Sequence, residues 1–256
     1  RLLHHGIEKH DMLLSSIDAG NMRNAIPREA NAVVVIPNEE EEKFLSCFKK
    51  LTATIKAELS VTEPDLKITA EPTDTPSFVM DANAQNSMIR ATYGCPNGVI
   101  RMSDAMPGLV ETSTNLSIIS SEKGKIKVIC LLRSSVDSAK FDLVNMMGGI
   151  FELAGAEVDF EGEYPGWKPN PDSTILKLMQ EVYHKNYGKI PEVKAIHAGL
   201  ECGILGSAYP NWDMISFGPT IRSPHSPDEK VNIPSVGKFY DFLLETLKNA
   251  PVKPIV

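Results

Sequence analysis

A chain of 256 residues with 42% hydrophobic side chains holds enough apolar material for one large or two modest globular domains. Its formal net charge of -7 argues against nucleic acid or an anionic membrane as the main partner, because both attract basic surfaces. No apolar run approaches the roughly 20 residues that span a bilayer, no secretory-signal pattern opens the chain, and the four cysteines (47, 95, 130 and 202) are widely separated with no CxxC pair. Free thiols in a reducing cytosol are therefore expected, with Cys47 and Cys130 in apolar cores and Cys202 near a candidate site.

The opening Arg1-Leu2-Leu3-His4-His5 reads as the last turns of a helix, so the chain is expected to be a C-terminal fragment of something longer. Residues 11–18 and 30–36 are apolar or β-branched runs joined by a polar turn, which predicts an antiparallel pair. A helix follows Pro37-Asn38, with acidic residues in its first turn and Phe44, Leu45, Phe48, Leu51 and Ile55 at helical spacing. The alternation in LKITA (66–70) predicts a half-buried strand, and residues 82–94 a helix ended by Gly94 and Pro96. Strands are expected at 109–120 and 125–133 across a hairpin, then a helix from 136 to 154 stopped by Gly155, and a strand at 156–161.

Strand, strand, helix, strand thus occurs twice, which predicts two ferredoxin-like α+β sandwich units. Prolines 165, 169 and 171 mark a boundary. Beyond it, Asp172 is expected to cap a helix that Gly188 and Pro191 end; strands near 193–197 and 213–217 and a last helix at about 234–248 complete an α/β segment. It is too short for a complete doubly wound domain.

Candidate chemistry concentrates between Ile196 and Glu229. His225 sits in a Pro-His-Ser-Pro frame that restricts its backbone, followed by Asp228 and Glu229. On residues alone it reads as a metal ligand, a base, or a solvated loop imidazole. The block HAGLECG, with Gly199, reads as a close ligand approach or as a strand-to-helix turn with a buried cysteine.

HAGLECG and GPTIRSPHSPDE occur with three further blocks in order: RNAIPREA, PNGVIR with VETSTNLSII, and LLRSSVDS with YPGW. Together they resemble the aminoacyl-histidine (Xaa-His) dipeptidases of the zinc aminopeptidase-like metallopeptidases, over nearly the whole chain. The resemblance implies hydrolysis of dipeptides by water activated between two zinc ions, in an α/β catalytic domain into which a lid is inserted. Residues 1–164 would be the lid, a homodimerisation domain lacking its first strand, and residues 165–256 the closing part of the catalytic domain.

Of the family's metal ligands only His225 carries over; the His-x-Asp element, the Glu-Glu pair and the other aspartates have no counterpart, so no catalytic residue is expected within this chain. A lone imidazole does not hold zinc tightly, so this chain is expected to bind no stoichiometric zinc. The resemblance further implies that Arg133 grips the dipeptide carboxylate, that Asn24 donates to the substrate carbonyl or oxyanion, and that Gly199 offers backbone contact. Without it, Arg133 reads equally as a snorkelling strand end and Asn24 as an ordinary turn residue. Two other readings are an interaction module that dimerises without catalysing, and a related dipeptidase or deacylase of different specificity.

Overall fold

The run Ala32-Val33-Val34-Val35 has the β-branched character that suits a pleated surface, and it pairs antiparallel with the apolar run before it. In the computed structural model these are β2 (Ala30–Val35) and β1 (Leu13–Ala19). The structure describes residues 1–104, 106–122, 124–163, 165–168, 170–194, 201–223 and 228–250. The described chain forms two compact units: Arg1–Arg101 with Thr112–Arg133 and Ser138–Glu161, and Met102–Glu111 with Ser134–Asp137 and the chain from Gly162 onward.

In the first unit α1 (Leu2–His10) precedes β1, and α2 (Glu41–Glu58) and α3 (Ala82–Gly94) follow β2. Then come β3 (Gly98–Met102), the long β4 (Val110–Glu122), β5 (Lys125–Ser134) and α4 (Asp137–Leu153). All five strands make one sheet in the order β2-β1-β4-β3, with β5 also paired to β4. The paired strands and following helices at both halves were expected, but the halves are not separate sheets: Asp18 pairs with Ser120 and Ala19 with Ile119. Ser121 extends this joint through its side chain, which accepts from the Ile17 N–H at 2.8 Å.

Because β4 reaches only that end of β1, the other end has an edge to satisfy. Gln85 of α3, almost wholly buried, accepts from the Leu14 N–H and donates to the Met12 carbonyl at 3.1 Å, while the Met80 N–H bonds the Leu14 carbonyl at 2.8 Å. Leu14 and Ile17 then meet Met88 and Ile89 in one core cluster, and Cys95, Leu143 and Met147 form another with Leu116, Cys130 and Leu132 around it. Gly6 lets α1 approach α2, since a Cβ there would overlap the Met12 side chain and press on the Phe44 ring.

In the second unit α5 (Thr174–Tyr187) packs on α7 (Ile233–Asn249), burying Met179, Val182 and Phe242, with α6 (Glu201–Ala208) and the short strands β6 (Ile221–Arg222) and β7 (Lys230–Val231) between them in sequence. The α5 cap is Ser173, whose hydroxyl accepts from the Leu176 N–H at 3.1 Å; Asp172 does not cap it.

Three expected strands are not formed. LKITA keeps its alternation, with Leu66 and Ile68 half-buried and their neighbours exposed, yet forms no ladder. Residues 156–161 and 213–217 likewise form no strand, and most of their side chains are exposed: an apolar run makes a strand only where a partner pairs with it. Of the expected strand at 193–197, residues 195–197 lie outside the described residues and 193–194 form none. Conversely, PNGVIR supplies β3, which the sequence reading left as a motif.

Leu14 is 0% exposed and Leu153 is 92% exposed. Leu14→Ala is expected to cost about 2 to 5 kcal/mol in a urea melt, and Leu153→Ala less than about 0.5 kcal/mol.

Candidate functional site

The segment RNAIPREA is shaped by its two ends. Gly20, at φ 68, closes β1, and a side chain there would collide with the Ser117 carbonyl. The Gly20 N–H bonds the Glu29 carbonyl at 3.0 Å, and the Ala25 N–H bonds that of Met22 at 3.3 Å. Asn24 is exposed at the tip of this turn.

The carbonyls of the residues on either side of Asn24 are clamped from β4. The hydroxyl of Ser117, which is 0% exposed, donates to the Arg23 carbonyl at 2.6 Å. The Asn115 amide donates to the Ala25 carbonyl at 2.7 Å and to the Ser117 hydroxyl at 3.0 Å. Two blocks 90 residues or more apart in sequence, RNAIPREA and VETSTNLSII, thus make one built feature. Sequence reasoning missed Asn115 and Ser117. Their signal was a run of small polar residues inside a strand, where Thr112, Thr114 and Ser117 are all buried.

Arg133 is half-buried near the end of β5, beside Leu132 of the second core cluster. It shares the first unit with Asn24, but it lies on a strand and Asn24 on the turn between β1 and β2. Gly199 and His225, the other expected site residues, lie outside the described residues.

In the second unit three sequence blocks meet through their backbones. The Gly166 N–H bonds Asp137 Oδ1 at 2.9 Å, and a Cβ on Gly166 would stand 2.6 Å from the Ser135 carbonyl oxygen. A Cβ on Gly203, in α6, would stand 2.6 Å from the carbonyl oxygen of Pro165. Glycine is required at both because backbone approaches backbone, so LLRSSVDS, YPGW and the end of HAGLECG are held together. The PHSPDE segment is bracketed by the β6–β7 ribbon, in which Ile221 pairs with Val231 and Arg222 with Lys230. Below it, the Thr220 N–H bonds the Ser235 hydroxyl at 2.9 Å. Ser223, just before the motif, holds φ 52, a conformation that L side chains seldom adopt and that clusters at functional segments.

The family described as "Peptidase family M20/M25/M40" matches residues 12–249. The chain belongs to this peptidase family. It is 39% identical to a protein of Escherichia coli (strain K12) named cytosol non-specific dipeptidase, over 96% of this chain and 51% of that one. The crystal structure of an aminoacylhistidine dipeptidase from Vibrio alginolyticus superposes with a TM-score of 0.89 at 44% identity, covering 98% of this chain and 51% of that one. A weaker likeness, 24% identity over 140 residues, is to a succinyl-diaminopimelate desuccinylase of Sulfurovum sp. (strain NBC37-1). The chain spans about half the length of the two dipeptidases.

M20 peptidases are metal-dependent. Among the described residues of the second unit no three His, Cys, Asp or Glu donors lie close enough to share an ion. The described residues do contain one such group, His5, His10 and Cys47 in the first unit. Cys47 is thus beside two imidazoles and not simply core, whereas Cys130 is packed among apolar side chains and burial pushes its thiol up to about 12. Cys202 is half-buried in α6. No helix among the described residues is long and apolar enough to cross a membrane.

Asp213, in the DMISF segment, accepts from the Ile175 N–H at 3.0 Å, supporting the start of α5. Burial opposes its ionisation, but the Ser173 hydroxyl and the N–H groups of Ile175 and Thr174 outweigh it and hold the carboxyl below its ordinary value. A carboxylate depressed in this way contributes stability that is complete above its unfolded pKa of about 3.9 and is lost as pH falls through the folded value. Asp213→Asn keeps an acceptor oxygen but loses the charge, and is therefore expected to lower stability at neutral pH by about 0.3 to 1 kcal/mol, the worth of a negative charge at a solvent-facing helix N-terminus. The deficit should shrink below about pH 4 in urea melts at stepped pH.

Proposed function

We propose that this chain is the lid and the closing catalytic segment of a metal-dependent dipeptidase that prefers Xaa-His substrates. The observation that carries the reading most is likeness over 96% and 98% of the chain to two proteins named as dipeptidases. Residues 1–164 are the lid, built of two ferredoxin-like halves and pairing in a homodimer; residues 165–256 complete the catalytic domain, and the enzyme works in the cytoplasm. Bound zinc, two ions in the complete enzyme, would acidify the attacking water and polarise the scissile carbonyl.

The residues of this chain have narrower tasks. Arg133 presents a planar fork to the C-terminal carboxylate, and its half-buried position favours that role, because a partly desolvated guanidinium binds an anion more strongly than a solvated one. Asn24 donates its amide N–H to the carbonyl oxygen as charge develops there, and the clamp from Asn115 and Ser117 supports this by fixing its backbone before substrate arrives. Gly199 lets the chain approach the substrate, and His225 supplies one metal ligand.

Two experiments test the reading. The purified chain, supplied with zinc, is expected to leave Xaa-His dipeptides uncut, while the longer polypeptide containing it cleaves them; turnover by this chain alone would contradict the division of labour. In that longer polypeptide Arg133→Ala is expected to lower kcat/KM by roughly one to two powers of ten, the value of a charge-assisted hydrogen bond of about 1.5 to 3 kcal/mol. Amidated dipeptides should lose much less, and an equal loss on both would remove Arg133 from the carboxylate.

A further inference from the structure

Helix α1 ends at His10, because Asp11 turns left-handed at φ 48 and ψ 34 and sends the chain into β1. His10 is 6% exposed. Its Nδ1 lies 3.0 Å from Glu40 Oε2, and Glu40 is held in turn by Lys43. The edge of Phe44 closes one side of the ring, with centroids 5.7 Å apart at 78°. The other nitrogen, Nε2, is buried and makes no hydrogen bond among the described residues. A buried imidazole in a packed core normally pairs both nitrogens, since a buried polar atom left unpaired has lost its hydration with nothing in return.

What surrounds His10 is a donor set. The His5 ring stands 5.6 Å away, tilted by 56°, and Cys47 lies one turn along α2 from Phe44. One donor atom each from His5, His10 and Cys47 lies within 4.8 Å of the others. We propose that these three side chains bind a thiophilic divalent cation of the zinc type, with Glu40 as the positioning residue for His10.

Glu40 accepts the Nδ1 proton of His10, which fixes the tautomer and leaves the Nε2 lone pair for the cation; metal-bound histidines are commonly oriented by a carboxylate in this way. Cys47 binds as the thiolate, so its proton passes to solvent when the sulfur–metal bond forms. Two imidazoles and one thiolate suit zinc over magnesium or calcium, and leave the fourth tetrahedral position to water. Metal–ligand bonds of about 2.0 to 2.3 Å imply tetrahedral edges of roughly 3.3 to 3.6 Å, so the donors must close in by about 1 Å, a movement within the reach of the half-buried His5 and Cys47 side chains. The remaining thiols of this unit do not offer the same chemistry, because Cys95 and Cys130 sit in an apolar cluster where burial raises both. The bound cation ties α1 to α2. None of its ligands takes part in the proposed peptidase site, so the inference stands or falls separately from that reading.

The test is metal binding by this chain. After metal removal, zinc titrated against a chromophoric chelator should bind in equimolar amount, and cobalt(II) should give the visible bands of a tetrahedral site with a sulfur-to-metal charge-transfer band. Cys47→Ser should abolish the charge-transfer band, and Cys47→Ser, His5→Asn and His10→Ala should each weaken zinc binding at least tenfold, whereas Cys202→Ser should bind as the unaltered chain does. Circular dichroism checks that each variant is folded; because truncating buried His10 risks unfolding, the half-buried Cys47 and His5 variants carry the decision. No zinc bound by the folded chain, unchanged binding by Cys47→Ser, or loss of binding in Cys202→Ser would overturn the proposal.

Discussion

The first unit depends on a polar clamp built from its central strand β4. The Ser117 hydroxyl, fully buried on β4, reaches the Arg23 carbonyl, and Asn115 reaches that of Ala25. Each bond contributes modestly in net terms, about 0.5 to 1.5 kcal/mol, but leaving such groups buried and unpaired costs about 1 to 3 kcal/mol, so the turn and the strand are mutually required. The clamp also explains why Gly20 must lack a side chain, since β1 ends where the Ser117 carbonyl passes. The strand that joins the two halves of the sheet is thus the strand that shapes the turn bearing Asn24. A side chain on a turn fixed in advance loses less entropy when it meets a ligand, which is the physical content of preorganisation.

In the second unit the same demand is met by backbone contact and capping. Gly166 and Gly203 let loop and helix backbones approach where any Cβ would intervene. Ser173 and Asp213 satisfy N–H groups at the start of α5 that the helix itself cannot, and the negative charge of Asp213 suits that end of the helix dipole. These devices cost little apolar area, which suits a segment whose core is the small cluster of Met179, Val182 and Phe242.

Helices α2, α3, α4, α5 and α7 were legible in the sequence because helical periodicity and end signals are local properties. The β1–β2 and β4–β5 pairs were legible for the same reason. LKITA and DMISF misled because alternation or apolarity marks chain that is partly buried, and pairing depends on a neighbour that no local pattern names. The single sheet was hidden because the Asp18–Ser120 pairing joins residues that no local pattern connects. The ordered family blocks located Asn24 and Arg133, but not the strand residues that hold Asn24 in place. His5, His10 and Cys47 escaped notice because their proximity arises from packing of α1 on α2 around Gly6 and not from any spacing typical of metal ligands.

The central claim is that the Asn24 turn is held in shape by β4 before any ligand is present. Amide hydrogen exchange of the unaltered chain and of Ser117→Ala measures this directly. Exchange at Gly20 and Ala25 is predicted to quicken about tenfold or more in the variant, with the amides of α2 unchanged. Equal exchange at those two amides in both proteins would contradict the account.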